Sequence, residues 1–510
     1  MKTRPPIADL RRIYAESHTV AVVGASPDPN KRANVVPAYL AGHGYRIIPV
    51  NPNHDEVFGE PCYPTLLEIP ESVDIVDVFR PPIDCPDVAA EAVQIGAKVL
   101  WLQLGIVSDE AARIAAEAGL AYIEDHCIGQ MHAMLGLGPA PSTTAELHTL
   151  GAMASVITSI ARTPIGRFGG GFKNMTAVDL GAVAIRGALE RSGLDPGKID
   201  EVLFGHVLQA GAGQITSRQA AVKAGIPMTV PATTINKVCL SGLTAIGMAD
   251  RDIRLGDATF VLAGGMESMT NAPYLLPKGR YGYGYGSGTI VDSMEHDGLF
   301  CAFDQCTMGS QSDGNAGRLG IGREIQDEWA AASHVRAAAA TDSGVFANEI
   351  VPVSVPQRRG DPVVVDRDEG IRPDSTPESL GGLRAAFSAD GTITAGNASQ
   401  ISDGAAALVV ADAATAAAEG LPTVAEILSY GQIGGVDATL HERPAEALRV
   451  ALKKAELSPS DLDIVEINEA FSGVSIWSAQ MLDIPHEKVN VNGGAVALGH
   501  PLGATGARLI

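Results

Sequence analysis

The chain has 510 residues, with 37 Lys+Arg against 59 Asp+Glu and a formal net charge of −22. That balance argues against a nucleic-acid or anionic-membrane surface, while leaving room for a local basic pocket for a phosphorylated ligand. A hydrophobic share of 46% and a charged share of 19% describe ordinary globular protein rather than a disordered chain. The length calls for more than one domain, and the six cysteines (62, 85, 127, 239, 301 and 306) form no disulfide framework in a chain this long. The N-terminus, MKTRPPIADLRRIY, has no apolar core of a signal peptide, and no uninterrupted apolar run could span a bilayer. A soluble, cytoplasmic protein is expected.

TVAVVG at 19–24 reads as a buried strand ending in a tight turn, followed by Ala25, Ser26, a polar loop with Lys31 and Arg32, and a helical stretch. Further strand-like runs at 45–52, 73–79 and 97–105 alternate with helix-like segments such as DEAARIAAEAG at 109–119. This alternation predicts an open, mostly parallel α/β sheet of Rossmann-like type over residues 1–140. Such sheets bind ligands where the first strand turns into a helix N-terminus. That turn carries only Gly24, so the three spaced glycines of a dinucleotide site are absent and NAD is disfavoured. A ligand-free scaffold remains open from the pattern alone. Residues 136–152 break the pattern with Pro, Gly, Ser and Thr and predict a linker over 141–152.

In NKVCLSGLTAIGMAD, 236–250, Cys239 falls where a strand-like run gives way to an apolar helix. A helix N-terminus opening into the interior is expected to favour a thiolate there, with His500 as the proton acceptor. The bland alternative is a small core cysteine. His500 is followed by Pro501, suited to the first position of a helix. His296, Cys301 and Cys306 are close in sequence, but their spacing is loose and a fourth ligand is not evident, so no metal is expected.

Residues 17 to about 135 resemble the small stand-alone CoA-binding domains, relatives of the CoA-binding part of succinyl-CoA synthetase. The matching pieces are VGASPDPNKRANVV, GYRIIPVNPN, VDIVDVFRPP, WLQLGI and IEDHC. The resemblance implies a CoA diphosphate on Gly24, Ala25 and Ser26 with Lys31 nearby, and Asn51, Pro52, Phe79 and Arg80 flanking the nucleotide. His126–Cys127 stands where that family more often has Arg–Cys, which leaves this segment's role open.

From Met153 to Ile510 the chain resembles the thiolase family. The motifs are ARTPIGRFGG, NKVCLSG, GGMESM, GNASQISDGAAAL, EINEAF and NGGAVALGHPLGATGAR, six in the correct order. The ketoacyl synthases and the lipid-transfer-type thiolases fit the NEAF and GHP segments less well. The resemblance implies a duplicated five-layer α/β/α/β/α fold, with an N-terminal half and CoA-binding loop region over 153–420 and a C-terminal half over 421–510. It implies acyl-CoA C-acyltransfer, as Claisen condensation of acetyl-CoA or thiolysis of 3-ketoacyl-CoA, with CoA and acyl-CoA as ligands and no permanently bound cofactor. It implies a homodimer or homotetramer as well.

The residues carried over are Cys239 as nucleophile, His500 as base and Asn468 as the group that stabilises the enolate oxygen of the second step, directly or through a water, while the Cys239 N–H serves the acyl-enzyme oxygen. A turn residue tied to the backbone is the alternative for Asn468. Met308, Phe387, Ser399 and Phe471 would line the pantetheine channel, with Arg372 toward the nucleotide. Residues 270 to about 395 read as loop-rich, and Thr307 stands where short-chain biosynthetic thiolases have a histidine. Thiolases use a second cysteine, in a Cys-x-Gly turn, as a further base. The sequence stops at Ile510 before such a turn, so an incomplete C-terminal half is expected, and a non-catalytic acyl-CoA-binding protein is the alternative.

Overall fold

The computed structural model describes residues 7–135 and 154–510; the expected linker and Met153 lie outside the described residues. The chain divides into two units, Met1–Ala152 and Met153–Ile510.

In the first unit β1 (Thr19–Val23), β2 (Arg46–Val50), β3 (Ile75–Val78), β4 (Val99–Leu102) and β5 (Ala121–Ile123) form a parallel sheet in the order β2-β1-β3-β4-β5. Every residue of β1, β3 and β4 is buried, as expected for parallel strands covered on both faces. Val76, Val78, Leu100 and Leu102 pack on one face, and Val20, Val22, Ile75 and Trp101 on the other. The unit's helices are α1 (Ile7–Glu16), α2 (Arg32–Ala41), α3 (Cys85–Gln94), α4 (Asp109–Ala118) and α5 (Ile128–Met134). The sheet places the β1–α2 turn at the carboxyl edge, where Gly24 adopts φ +90, a conformation glycine tolerates without penalty.

The second unit is built on a seven-stranded mixed sheet. Its main path runs β8 (Ala232–Ile235), β7 (Glu201–Gly205), β9 (Phe260–Ser268), β10 (Ser402–Asp412), β6 (Ser155–Arg162) and β11 (Ala425–Ile427), with the short strand Gly166–Arg167 added on β10. β7 runs parallel to β8 and β9, whereas β10 is antiparallel to both β9 and β6. All eleven residues of β10 are buried. Its Ala405, Ala407 and Val409 face α6 (Ala177–Ser192), which shares that core with α7 (Thr216–Ala224), and Ala406, Leu408 and Val410 face α8 (Ser241–Arg254).

Two differences from the sequence expectation have physical causes. The stretch read as loop-rich contains α9 (Met308–Leu319), started by the Thr307 hydroxyl accepting the Ser310 N–H at 3.2 Å, and α10 (Arg323–Asp342). Polar residues such as Gln326, Asp327 and His334 are buried along α10, so it shows no apolar stripe to read. α8 is likewise not apolar throughout, since its last turns carry an Asp250–Arg254 ion pair.

Beyond residue 440 the described residues supply α11 (Arg443–Lys454), α12 (Ser472–Met481), α13 (Leu502–Leu509) and a parallel bridge between Val465 and Val489. The start of α13 lies directly on the sheet. A β-carbon on Gly265 would overlap the Gly503 carbonyl, so glycine at this crossing permits the approach. That contact carries the histidine before α13 to the start of α8.

Candidate active site

The turn from Asn236 to Ser241 is locked by its own side chains. Asn236 Oδ1 accepts the Val238 N–H at 3.1 Å, the Ser241 hydroxyl accepts the Lys237 N–H at 2.8 Å, and that hydroxyl donates to the Val238 carbonyl at 2.7 Å. Val238 is held at φ +49, a left-handed conformation that is strained for a β-branched residue. Cys239 follows directly, just before α8.

His500 comes from the opposite end of the sequence. Gly499 adopts φ +111, and the His500 N–H donates to the Gln400 carbonyl at 3.1 Å. Pro501 occupies the cap of α13 rather than its first helical position, and His500 precedes the cap. His500 Nε2 then lies 3.0 Å from Cys239 Sγ, and Asn468 Nδ2 lies 3.3 Å from the same nitrogen. The three catalytic candidates therefore meet at one point. Asn468 Oδ1 is buried and has no partner among the described residues, which does not fit a turn residue tied to the backbone.

The expected thiolate is opposed by burial. Burial pushes the Cys239 thiol up to about 12; its own backbone N–H pulls it down, and the Glu267 carboxylate pushes it further up. Burial, with the Arg508 charge adding to it, pushes His500 down to about 3. Desolvation opposes the helix terminus, and both shifts run toward a neutral thiol beside a neutral imidazole. Iodoacetamide alkylation of Cys239 should therefore accelerate by about tenfold per pH unit between pH 6 and 9. Peptide mass spectrometry against time measures it; a plateau below pH 7 would mean a standing thiolate.

Two buried carboxylates hold the site and were given no role from sequence, although both sit inside quoted motifs. Glu267, at the end of β9, accepts N–H groups from Val207 and Leu208 at 3.1 Å each and from Gly503 at 2.9 Å, tying the start of α13 to the sheet. Burial raises it to about 7, and burial lowers its neighbour His206, 3.4 Å away, to about 4. Glu469 accepts from Trp329 Nε1 at 2.9 Å, Ser333 Oγ at 2.8 Å, Asn490 Nδ2 at 2.9 Å and the Val496 N–H at 3.0 Å. It thereby fixes the loop that presents Asn468.

The channel candidates also converge. Phe387 stands edge-on to Phe471, with centroids 6.1 Å apart, and Met308 packs into the same cluster. Ser399 donates its N–H to the Ala470 carbonyl at 3.1 Å. Arg372 lines a cavity of about 440 Å³ with Asp374, Ser375, Leu383 and Gly396. Cys301 and Cys306 face each other across a short hairpin and His296 bonds Asp297; among the described residues no group of three or more His, Cys, Asp or Glu could hold a metal.

In the first unit, Asn51 Nδ2 donates to the Ala25 carbonyl and Asn34 Nδ2 to the Ser26 carbonyl, both at 2.8 Å, shaping the turn after Gly24. Lys31 is exposed at the cap of α2, whose first N–H groups receive no side-chain cap from it. The Arg80 stem and Phe79 backbone lie against Gly24, and Pro52 follows Asn51 in the adjacent turn. His126 caps its own turn, Nδ1 bonding the Glu124 carbonyl, while its carbonyl accepts Trp101 Nε1 at 2.7 Å; Cys127 leads into α5.

Comparison with known proteins decides the family. The model for the thiolase N-terminal domain matches residues 155–414, that for the thiolase C-terminal domain matches 421–510, and that for a CoA binding domain matches 18–133. This chain belongs to the thiolase family. As a thiolase it is an acyl-CoA acyltransferase, with CoA and acyl-CoA as substrates. A Mycolicibacterium smegmatis relative named "Probable acetyl-CoA acetyltransferase" is 51% identical over 354 residues, covering 69% of this chain and 91% of its own. The "Acetyl-CoA acetyltransferase" of Cupriavidus necator is 48% identical over 355 residues, covering 70% and 90%. The crystal structure of the Bacillus anthracis acetyl-CoA acetyltransferase superposes with a TM-score of 0.68 at 41% identity, over 70% of this thiolase and 90% of that chain. Among the thiolase's described residues no helix is long and apolar enough to cross a membrane.

Proposed function

We propose that this thiolase moves short acyl groups, acetyl foremost, between CoA and Cys239, and that its first unit holds a second CoA. The observation that carries the first part is the 3.0 Å approach of Cys239 Sγ to His500 Nε2, with Asn468 Nδ2 at 3.3 Å. Cys239 gives its proton to His500 as sulfur attacks the thioester carbonyl; the CoA thiolate leaves and takes that proton back. One thioester replaces another, so the step is nearly isoenergetic and runs in both directions. Asn468 and the Cys239 N–H, which faces its own sulfur, are the donors for the developing oxyanion. Phe387, Phe471, Met308 and Ser399 form the wall along which pantetheine reaches the sulfur, and the Arg372 cavity takes the nucleotide end. Exchange of labelled CoA into acetyl-CoA tests this: the full chain should catalyse it, and Cys239→Ala should not.

The uncapped start of α2, the Gly24–Ser26 turn and exposed Lys31 support a diphosphate cradle in the first unit. Titration calorimetry on Cys239→Ser should find two CoA sites per chain. Lys31→Glu should weaken one of them by about tenfold or more, since a charge-assisted contact is worth about 1.5–3 kcal/mol. A single site, unaffected by Lys31→Glu, would remove the first-unit assignment.

A further inference from the structure

Resting on that reading of Cys239 and His500, we infer that Thr505 is the positioning residue that makes His500 Nε2 the proton acceptor. Thr505 is fully buried on the first turn of α13. Its hydroxyl lies 3.0 Å from the Pro501 carbonyl and 2.7 Å from His500 Nδ1. A hydroxyl has one proton to donate and lone pairs to accept with. A carbonyl can only accept, so both contacts are hydrogen bonds only when the Thr505 proton goes to Pro501 and the hydroxyl accepts from His500. Nδ1 must then carry the imidazole's single N–H. The lone pair is left on Nε2, which faces the Cys239 sulfur. The bond to the Pro501 carbonyl, four residues back along α13, uses the helix itself to fix the hydroxyl's direction.

The orienting group is neutral, and this matters for the chemistry. A carboxylate behind a histidine stabilises the imidazolium formed in the reaction. A hydroxyl orients the ring and leaves the imidazolium weakly stabilised, so the proton taken from Cys239 is readily returned to the departing CoA sulfur. The S–H bond breaks as Nε2–H forms; Nε2–H breaks as the CoA S–H forms. No proton is stored between half-steps. That behaviour suits a reversible exchange of one thioester for another.

The test uses full-length variants and the exchange of labelled CoA into acetyl-CoA, with circular dichroism to establish folding. Thr505→Val keeps the shape and removes the hydroxyl; kcat should fall by about 10²-fold with KM for acetyl-CoA unchanged. Thr505→Ser restores the hydroxyl and should stay within about threefold of the parent. If Thr505→Val does not fold, Thr505→Ala takes its place, with the same loss in kcat expected. A folded Val or Ala variant exchanging at the parent rate would overturn the inference, as would a folded Ser variant as slow as Val. Mapping the acetyl adduct separates this from the reading beneath it. An adduct on Cys239 together with an unaffected Val variant sinks only the Thr505 role, whereas an adduct elsewhere sinks the Cys239–His500 assignment itself.

Discussion

Replacing His500 with asparagine is expected to slow exchange between acetyl-CoA and CoA by about 10²–10⁴-fold. The reason lies in the state of the nucleophile. Burial holds the Cys239 thiol near 12, so almost no thiolate exists at neutral pH without an acceptor at 3.0 Å. Asparagine fills part of the space and offers an amide that cannot take the proton. The variant's residual rate should therefore follow hydroxide, rising by about tenfold per pH unit, whereas the parent's should vary far less across pH 6–8. Stopped exchange assays over that range measure both. A variant retaining a third of the parent rate would mean that another group deprotonates Cys239.

Replacing Glu469 with alanine is expected to act first on stability. Four donors converge on its carboxylate, from Trp329, Ser333, Asn490 and Val496, and all are buried or nearly so. Removing the acceptor strands them together, at a cost of about 3–5 kcal/mol after partial relaxation. A shift of the urea midpoint to lower concentration at unchanged slope reads this directly. Glu469→Gln keeps the volume but turns an amide N–H toward other donors, so it should fall between the two. Whatever fraction of Glu469→Ala folds should also lose exchange activity, because Asn468 is the preceding residue on the loop Glu469 anchors. A midpoint within error of the parent would show that these bonds are dispensable.

Cys239 and His500 stood out in the sequence as candidates because each sits in a short run whose composition has a local cause. NKVCLSG needs Asn236 and Ser241 for a turn that holds Val238 at positive φ. GHP needs a glycine at φ +111 before His500. The parallel sheet of the first unit was legible for a similar reason, since apolar runs such as TVAVV stand alone between polar turns. What was not legible depends on partners distant in sequence. Glu267 draws one donor from Gly503, 236 residues away, and Glu469 draws one from Trp329, 140 residues away. Neither role follows from a motif's own composition. The thiolate expectation shares that ground: a helix terminus can be read locally, but the desolvation that opposes it is supplied by everything packed around Cys239 and His500. The helices between 308 and 342 escaped because their buried faces carry Ser, Asn, Gln, Asp and His, which leave no apolar period.

The most direct test of the central claim is to trap the acyl-enzyme. The full chain is mixed with acetyl-CoA, quenched in acid, and its intact mass and proteolytic peptides are read by mass spectrometry. The expected result is one acetyl group per chain, located on the peptide containing Cys239 and missing from Cys239→Ser. An acetyl group on Cys62, Cys85, Cys127, Cys301 or Cys306, or one that persists in Cys239→Ser, would contradict it.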